Sequence, residues 1–295
     1  VYSAVAVVNA FGGIATRAQI LDAGLTGSDI TRDVRLGSLR RVRRGHYATA
    51  LADRDAVLAV RVGGRLCATA AARTYGFWGG FDERLHVAVA PNASRLRLIR
   101  TDGEATPDID DRSTVVHWIA AKAARECWRV RPEDCVRHVV ASADRETALA
   151  CLDTAMDVMG WSHEYLLRLF ADESAPSRLR AAQARPGSGS GYESIATRRL
   201  RERGHRVRQQ VVIPGVGRVD ALVDDHLVLE IDGFSFHRSR EAFETDRRRD
   251  AGALARALPV IRLSTRRIRH DWPGCLADIE AALLQFRKSC GCCGQ

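Results

Sequence analysis

The chain is expected to be an α/β protein, more narrowly a multidomain α+β one, on three observations. Short alternating apolar runs such as 218–223 and 227–232 have the period of strands. Stretches that start at a Ser or Thr and stop at a glycine, such as 16–24, have the signals of helices. A polar stretch rich in Pro, Gly and Ser, 171–191, interrupts the apolar periodicity and separates two folded parts. At 295 residues and 46% hydrophobic content, the chain has enough apolar surface for two or three buried cores.

Charge is unevenly distributed. The net +9 comprises +4 in residues 1–50 (seven Arg against three acids), zero in 51–187 (nineteen against nineteen) and +5 in 188–295 (nineteen against fourteen). An excess confined to the two ends suits two parts that meet a polyphosphate and a middle that does not. The bias to Arg, with only Lys122 and Lys288 as lysines, carries no mechanism by itself. No run of eighteen apolar residues is present, and the start VYSAVAVVNAFGG lacks a basic region, so neither a membrane span nor a signal peptide is expected. The eight cysteines have no repeated spacing, and three of them crowd the end at 290, 292 and 293. A reduced, frayed tail over 289–295 and a cytoplasmic setting are the expectation.

Residues 1–50 read as a small helical domain ending in a basic hairpin. Val5–Phe11 is apolar and stopped by Gly12-Gly13, Thr16 caps a helix over 17–23, and Ser28 caps one over 29–36. LRRVRRGHYA then alternates, with a turn at Gly45. This is the order of a winged helix-turn-helix, and GGIATRAQILDAGLTGSDITRDVRLGSLRRVRRGHYA resembles the N-terminal domain of AbiEi-type antitoxins. The resemblance implies a DNA-reading third helix, with Thr31, Arg32 and Arg35 as readers. Arg40, Arg41, Arg43 and Arg44 on the wing would hold phosphates. A winged helix used for protein contacts, with the arginines merely solvated, is the alternative.

Residues 51–170 are expected to form a mixed α+β middle domain: a helix over 65–78, strands at 85–90, 114–118 and 137–141, and a helix over 145–159. The similarity to AbiEi-like proteins is weaker here. His86, His117 and His138 sit singly in strand-like runs and are expected to be packed or hydrogen-bonded; no catalytic residue is placed here. The stretch 171–191 is read as a flexible joint.

The chemistry concentrates in 192–288. A helix over 192–203 carries Glu193, a strand covers 205–213, and 214–217 makes a turn. RVDALVDDHLVLEIDGFSFH then holds two strands joined by a tight turn at Asp224-Asp225-His226, with Asp220, Glu230 and Asp232 on one face. Three carboxylates on one pleated face repel each other unless a cation lies among them, and hard oxygen donors suit Mg²⁺ or Mn²⁺. A solvated sheet edge is the plainer reading for any one of them. His237 is the ring in this stretch that titrates near neutrality and suits an acid or base role. A charged helix over 240–257, a strand at 260–263 and a final helix complete the part.

From Gly191 to about Leu284 these residues, and E-I-D-G-x-x-F-H above all, resemble the family filed as domain of unknown function 559. That family is related to the very-short-patch-repair endonucleases of the PD-(D/E)XK, restriction-endonuclease-like superfamily. The resemblance implies an αβββαβ core. It makes Asp220 and Glu230 metal ligands and Glu193 a partner acting through water, with His237 placed for proton transfer; an ordinary acid that stabilises the helix dipole is the alternative for Glu193. Where the superfamily usually has a lysine, this chain has Asp232, so the general base stays open: either Asp232 adds a ligand and metal-bound hydroxide suffices, or His237 takes the proton-transfer role. Phe234 and Phe236 read as packing, or as a wedge against a base step. Arg247, Arg248 and Arg249 are candidate phosphate contacts, though a salt-bridged solvent face near Asp246 and Asp250 explains them too. The expected activity is metal-dependent hydrolysis of DNA in a defence, toxin–antitoxin or repair setting, with a cognate toxin or antitoxin as a possible partner. A non-catalytic repressor on a retained nuclease fold, and an RNA-directed nuclease, are the alternatives.

Overall fold

The computed structural model describes residues 3–94, 96, 114–120, 124–233, 247, 249 and 251–290, the last four by backbone alone. The chain is a mixed α and β protein in two compact units. One comprises Val1–Cys151 with Glu164–Ala182, and the other Leu152–His163 with Gln183–Gln295.

The first unit begins α1 (Ala4–Ala10), β1 (Ile14–Thr16), α2 (Arg17–Asp22), α3 (Gly27–Arg35), β2 (Arg40–Arg43) and β3 (His46–Ala48). Its small antiparallel sheet has the order β1-β3-β2. Two capping boxes set the helix starts. The Thr16 hydroxyl accepts from Gln19 N while Gln19 Oε1 accepts from Thr16 N, at 3.1 and 2.8 Å. Thr26 and Asp29 do the same for α3. The α3 cap is thus Thr26 and not Ser28, because only Thr26 has an acid three residues on to return the hydrogen bond. Gly45 turns the hairpin at φ 78°. Ala4, Val7, Val8, Ile20, Ile30 and Leu39 form the core that joins helices to sheet.

The chain continues through α4 (Arg54–Val62), β4 (Arg65–Leu66), α5 (Ala68–Tyr75), β5 (Leu85–Val89), β6 (Thr114–Trp118), α6 (Pro132–Ser142), α7 (Arg145–Met159), α8 (His163–Leu169) and α9 (Ala175–Ala182), of which residues 152–163 belong to the second unit. β4 pairs antiparallel to β5, and β5 parallel to β6. Three expectations are corrected here. The helix over 65–78 starts later, because Leu66 pairs with Val87 and its N–H donates to Trp128 O. Residues 137–141 lie within α6 and are not a strand. Pro132 and two acids occupy its first turn, and Cys135, Val136, Val139 and Val140 form a buried stripe at helical spacing. The stretch 171–191 contains α9, and its next residues are tied down: Asp153 accepts from Arg185 N, and Asp157 from the N–H groups of Gly187 and Ser188. The acids that fix this segment lie on α7, which composition alone does not reveal.

The second unit holds α10 (Gly191–Glu202), β7 (Val207–Ile213), β8 (Gly217–Val223), β9 (Leu227–Asp232), β10 (Val260–Ser264), α11 (Thr265–His270) and α12 (Trp272–Cys290). Arg247, Arg249 and residues 251–254 are helical. The sheet order is β10-β9-β8-β7, antiparallel except for β9 with β10. The β8–β9 turn has Asp224 and Asp225 at φ 51° and 64°, with His226 N donating to Val223 O. Two left-handed residues in succession match the right-handed twist of the strands they join. Residues 289 and 290, expected in a frayed tail, lie in α12; residues 291–295 lie outside the described residues. Among the described residues no helix is long and apolar enough to cross a membrane.

Candidate functional site

Strand register brings the predicted acids together. Ala221 lies opposite Leu229, so the next pair outward is Asp220 and Glu230, side by side on one face of the sheet. Leu222 and Val228, two residues along on that face, pack with Ala253, Ile213 and Val216. The acids therefore stand at the rim of an apolar cluster, half-buried. Asp220 accepts from Ile231 N at 2.7 Å, which fixes its rotamer. Glu193, 7% exposed in the first turn of α10, accepts from Gly189 N at 2.9 Å and from Gln210 Nε2 at 2.8 Å. Asp232 ends β9, half-buried.

The electrostatics show that these groups share one field. Burial raises the Asp220 carboxyl, opposed by the Ile231 N–H and Arg249 and reinforced by Asp232. Burial raises Glu193 too, with the charge of Asp220 as the next cause. Glu230 is pushed up to about 7, first by burial, with Asp220 and Asp232 adding and Arg249 opposing.

Arg249, a candidate phosphate contact by sequence, is instead engaged internally. Its guanidinium donates to Glu230 Oε1 at 2.5 Å, to Arg218 O and to Val216 O. It supplies positive charge to the carboxylate face from within the chain. Arg247 is exposed. His237, Phe234, Phe236, Arg248, Asp246 and Asp250 lie outside the described residues.

Gln210 is the site residue that sequence reasoning missed. It aligns with Asp220 across β7–β8, and it holds φ 51° inside a strand, a conformation disfavoured for a side-chain-bearing residue. The adjacent pair Gln209-Gln210 breaks the alternation of VRQQVVI and was the available signal.

The donor set, all carboxylate oxygen with mutual repulsion, fits a hard divalent cation in its chemistry. Among the described residues, however, no three His, Cys, Asp or Glu side chains converge closely enough to hold a metal ion. That applies to the histidines of the first unit as well. His86 and His117 meet at 3.0 Å, Nδ1 to Nε2, and His86 Nε2 meets Asp82 Oδ2 at 3.0 Å. They are hydrogen-bonded to each other and not isolated.

On the first unit, Thr31, Arg32 and Arg35 line a shallow concavity along α3 with Gly27, Ser28 and Leu36. Arg32 is held by Asp29 and Asp33, each at 3.1 Å, and the Thr31 hydroxyl donates to Gly27 O. Arg40, Arg41 and Arg44 are exposed, whereas Arg43 is half-buried and donates to Arg61 O at 2.9 Å.

A mixed α/β protein with a half-buried carboxylate face is the class that fold and site define. A scan against protein-family models finds no match to the chain, and a search of curated proteins finds no similar sequence.

Proposed function

We propose that this chain is a divalent-metal-dependent DNA endonuclease whose first 50 residues read DNA as a winged helix. The observation that carries this is the alignment of Asp220 with Glu230 on adjacent strands, with Glu193 in the same field and Glu230 raised to about 7. Burying like charges together costs stability, and such a cost is tolerated where a cation offsets it in function. The order of α10, three strands, helical residues at 247, 249 and 251–254, and β10 supports the αβββαβ core that the sequence resemblance implies.

In this reading Asp220 and Glu230 would hold Mg²⁺ or Mn²⁺, Asp232 would be the candidate for a further oxygen, and Glu193 would act through water. Such an ion would supply positive charge to offset the charge of a phosphate undergoing hydrolysis. Asp220 keeps its orientation through the Ile231 N–H, and Gln210 and Gly189 orient Glu193. Arg249 holds Glu230 in place. His237 takes the proton-transfer role. Thr31, Arg32 and Arg35 read the major groove, and Arg40, Arg41 and Arg44 hold phosphates.

Supercoiled plasmid incubated with the full chain is nicked or cut with Mg²⁺ or Mn²⁺ and stays intact with chelator. RNA and mismatched duplex in parallel lanes define the substrate. One observation favours a second reading, a DNA-binding repressor: Arg249 already pairs with Glu230, and an acid stands at the expected lysine position. Tight duplex binding with no cleavage under either metal selects that reading. The defence, toxin–antitoxin or repair setting rests on the family resemblance alone.

A further inference from the structure

A second feature of the first unit has no part in this scheme. Arg43 and His46 are paired across the β2–β3 hairpin, and both line a cavity of about 490 Å³ together with Arg65. Its apolar wall includes Val60, Val89 and Ile119. The volume is that of a small-molecule site. The parallel strands β5 and β6 both end at it, through Val89-Ala90-Pro91 and Ile119-Ala120. The carboxyl ends of parallel strands are where α/β sheets commonly bind ligands.

The cavity is built at a cost in chain freedom. The Arg43 guanidinium lies against Gly63, where a Cβ would stand 2.5 Å from Arg43 Nη1, and Gly63 itself has φ 115°. At Gly64 a Cβ would stand 2.2 Å from Ala88 O. Only a pair of glycines allows the arginine and the strand to approach the same turn so closely. No acid lines the cavity among the described residues. Beyond its bond to Arg61 O, Arg43 has further N–H donors without a hydrogen-bond partner among the described residues; His46 donates from Nδ1 to Arg44 O, which leaves Nε2 of the neutral ring an acceptor with no partner there. Burial lowers the pKa of His46, opposed by its bond to Arg44 O, and the charges of Arg43 and Arg65 lower it further. All three groups are therefore within electrostatic reach of one another.

Two arginines and a histidine lining one concave site together with apolar side chains match one kind of ligand. We propose that this cavity binds a small phosphate monoester, its phosphate accepting from Arg43 and Arg65 and offering its hydroxyl to Nε2 of His46, with its flat apolar body against Val60, Val89 and Ile119. Arg40, Arg41 and Arg44, all exposed, remain the groups suited to a polynucleotide backbone.

Calorimetric titration of the full chain with adenosine monophosphate, inorganic phosphate and adenosine tests this. The monophosphate is expected to bind at least about tenfold tighter than phosphate, and adenosine not measurably. Arg65→Gln removes one phosphate partner, and Ala120→Phe plugs the cavity from an exposed position. Each is expected to cost at least about tenfold in monophosphate affinity while unfolding as cooperatively as the parent chain. Absence of binding by both anions at millimolar concentration overturns the proposal. So does phosphate binding as tightly as the monophosphate, or wild-type affinity in both folded variants.

Discussion

Glu230 offers the most quantitative check on the carboxylate face. Its side chain is 17% exposed and titrates at about 7 in the folded chain, against an ordinary value of 4.5. That difference corresponds to about 3 kcal/mol between the protonated and ionised forms. The folded state holds its proton to higher pH than the unfolded state, so the favourable contribution is complete below about pH 4.5. It is lost as pH rises through about 7. Glu230→Gln removes the ionisation while leaving an oxygen to accept from Arg249. Urea unfolding of the two chains near pH 5 and pH 8 is therefore expected to diverge. The wild type should lose up to about 3 kcal/mol relative to the variant across that interval. Asp220 and Glu193, also raised, act in the same direction in both chains, so the difference between chains isolates Glu230. Parallel stability profiles would refute the claim that this carboxylate is held against its preferred charge state.

Other consequences are structural. Arg198 pairs with Asp153, which is 2% exposed and also accepts from the Ser194 hydroxyl. Arg198→Ala leaves a buried charge without its partner and should destabilise the chain by about 3 kcal/mol in denaturant unfolding. Gly64→Ala drives a Cβ into Ala88 O and should cost about 2 kcal/mol or more, read by the same method, and should lower monophosphate affinity. Thr26→Ala removes the α3 cap and should cost about 1 kcal/mol, with weaker duplex DNA binding in fluorescence anisotropy.

Local signals in the sequence were strong where a side chain and its own backbone settle the outcome. The Thr16 cap, the Gly45 turn, β9 and α7 lie where capping, turn chemistry and period two or 3.6 place them. The shared face of Asp220 and Glu230 was legible because alternation along two strands joined by a tight turn fixes their register. The misplaced elements were those decided by distant partners. Val136, Val139 and Val140 are β-branched and suggest a strand, yet Pro132 and the burial of one helical stripe give α6. The segment 183–190 has a linker's composition, but Asp153 and Asp157 hold its backbone. Arg249 read as an outward cation, and only the packing of its helix near β8 and β9 turns it to Glu230. The engagement of Arg43 with the turn at Gly63 likewise depends on contacts across eighteen residues or more.

The central claim, that the acids of β8 and β9 hold a divalent ion, is met most directly by Mn²⁺ titration followed by electron paramagnetic resonance, comparing the wild type with Asp220→Asn. The account predicts saturable uptake of at least one ion per wild-type chain, abolished in a variant that still unfolds cooperatively. Uptake that is absent in the wild type, or undiminished by the substitution, would contradict it.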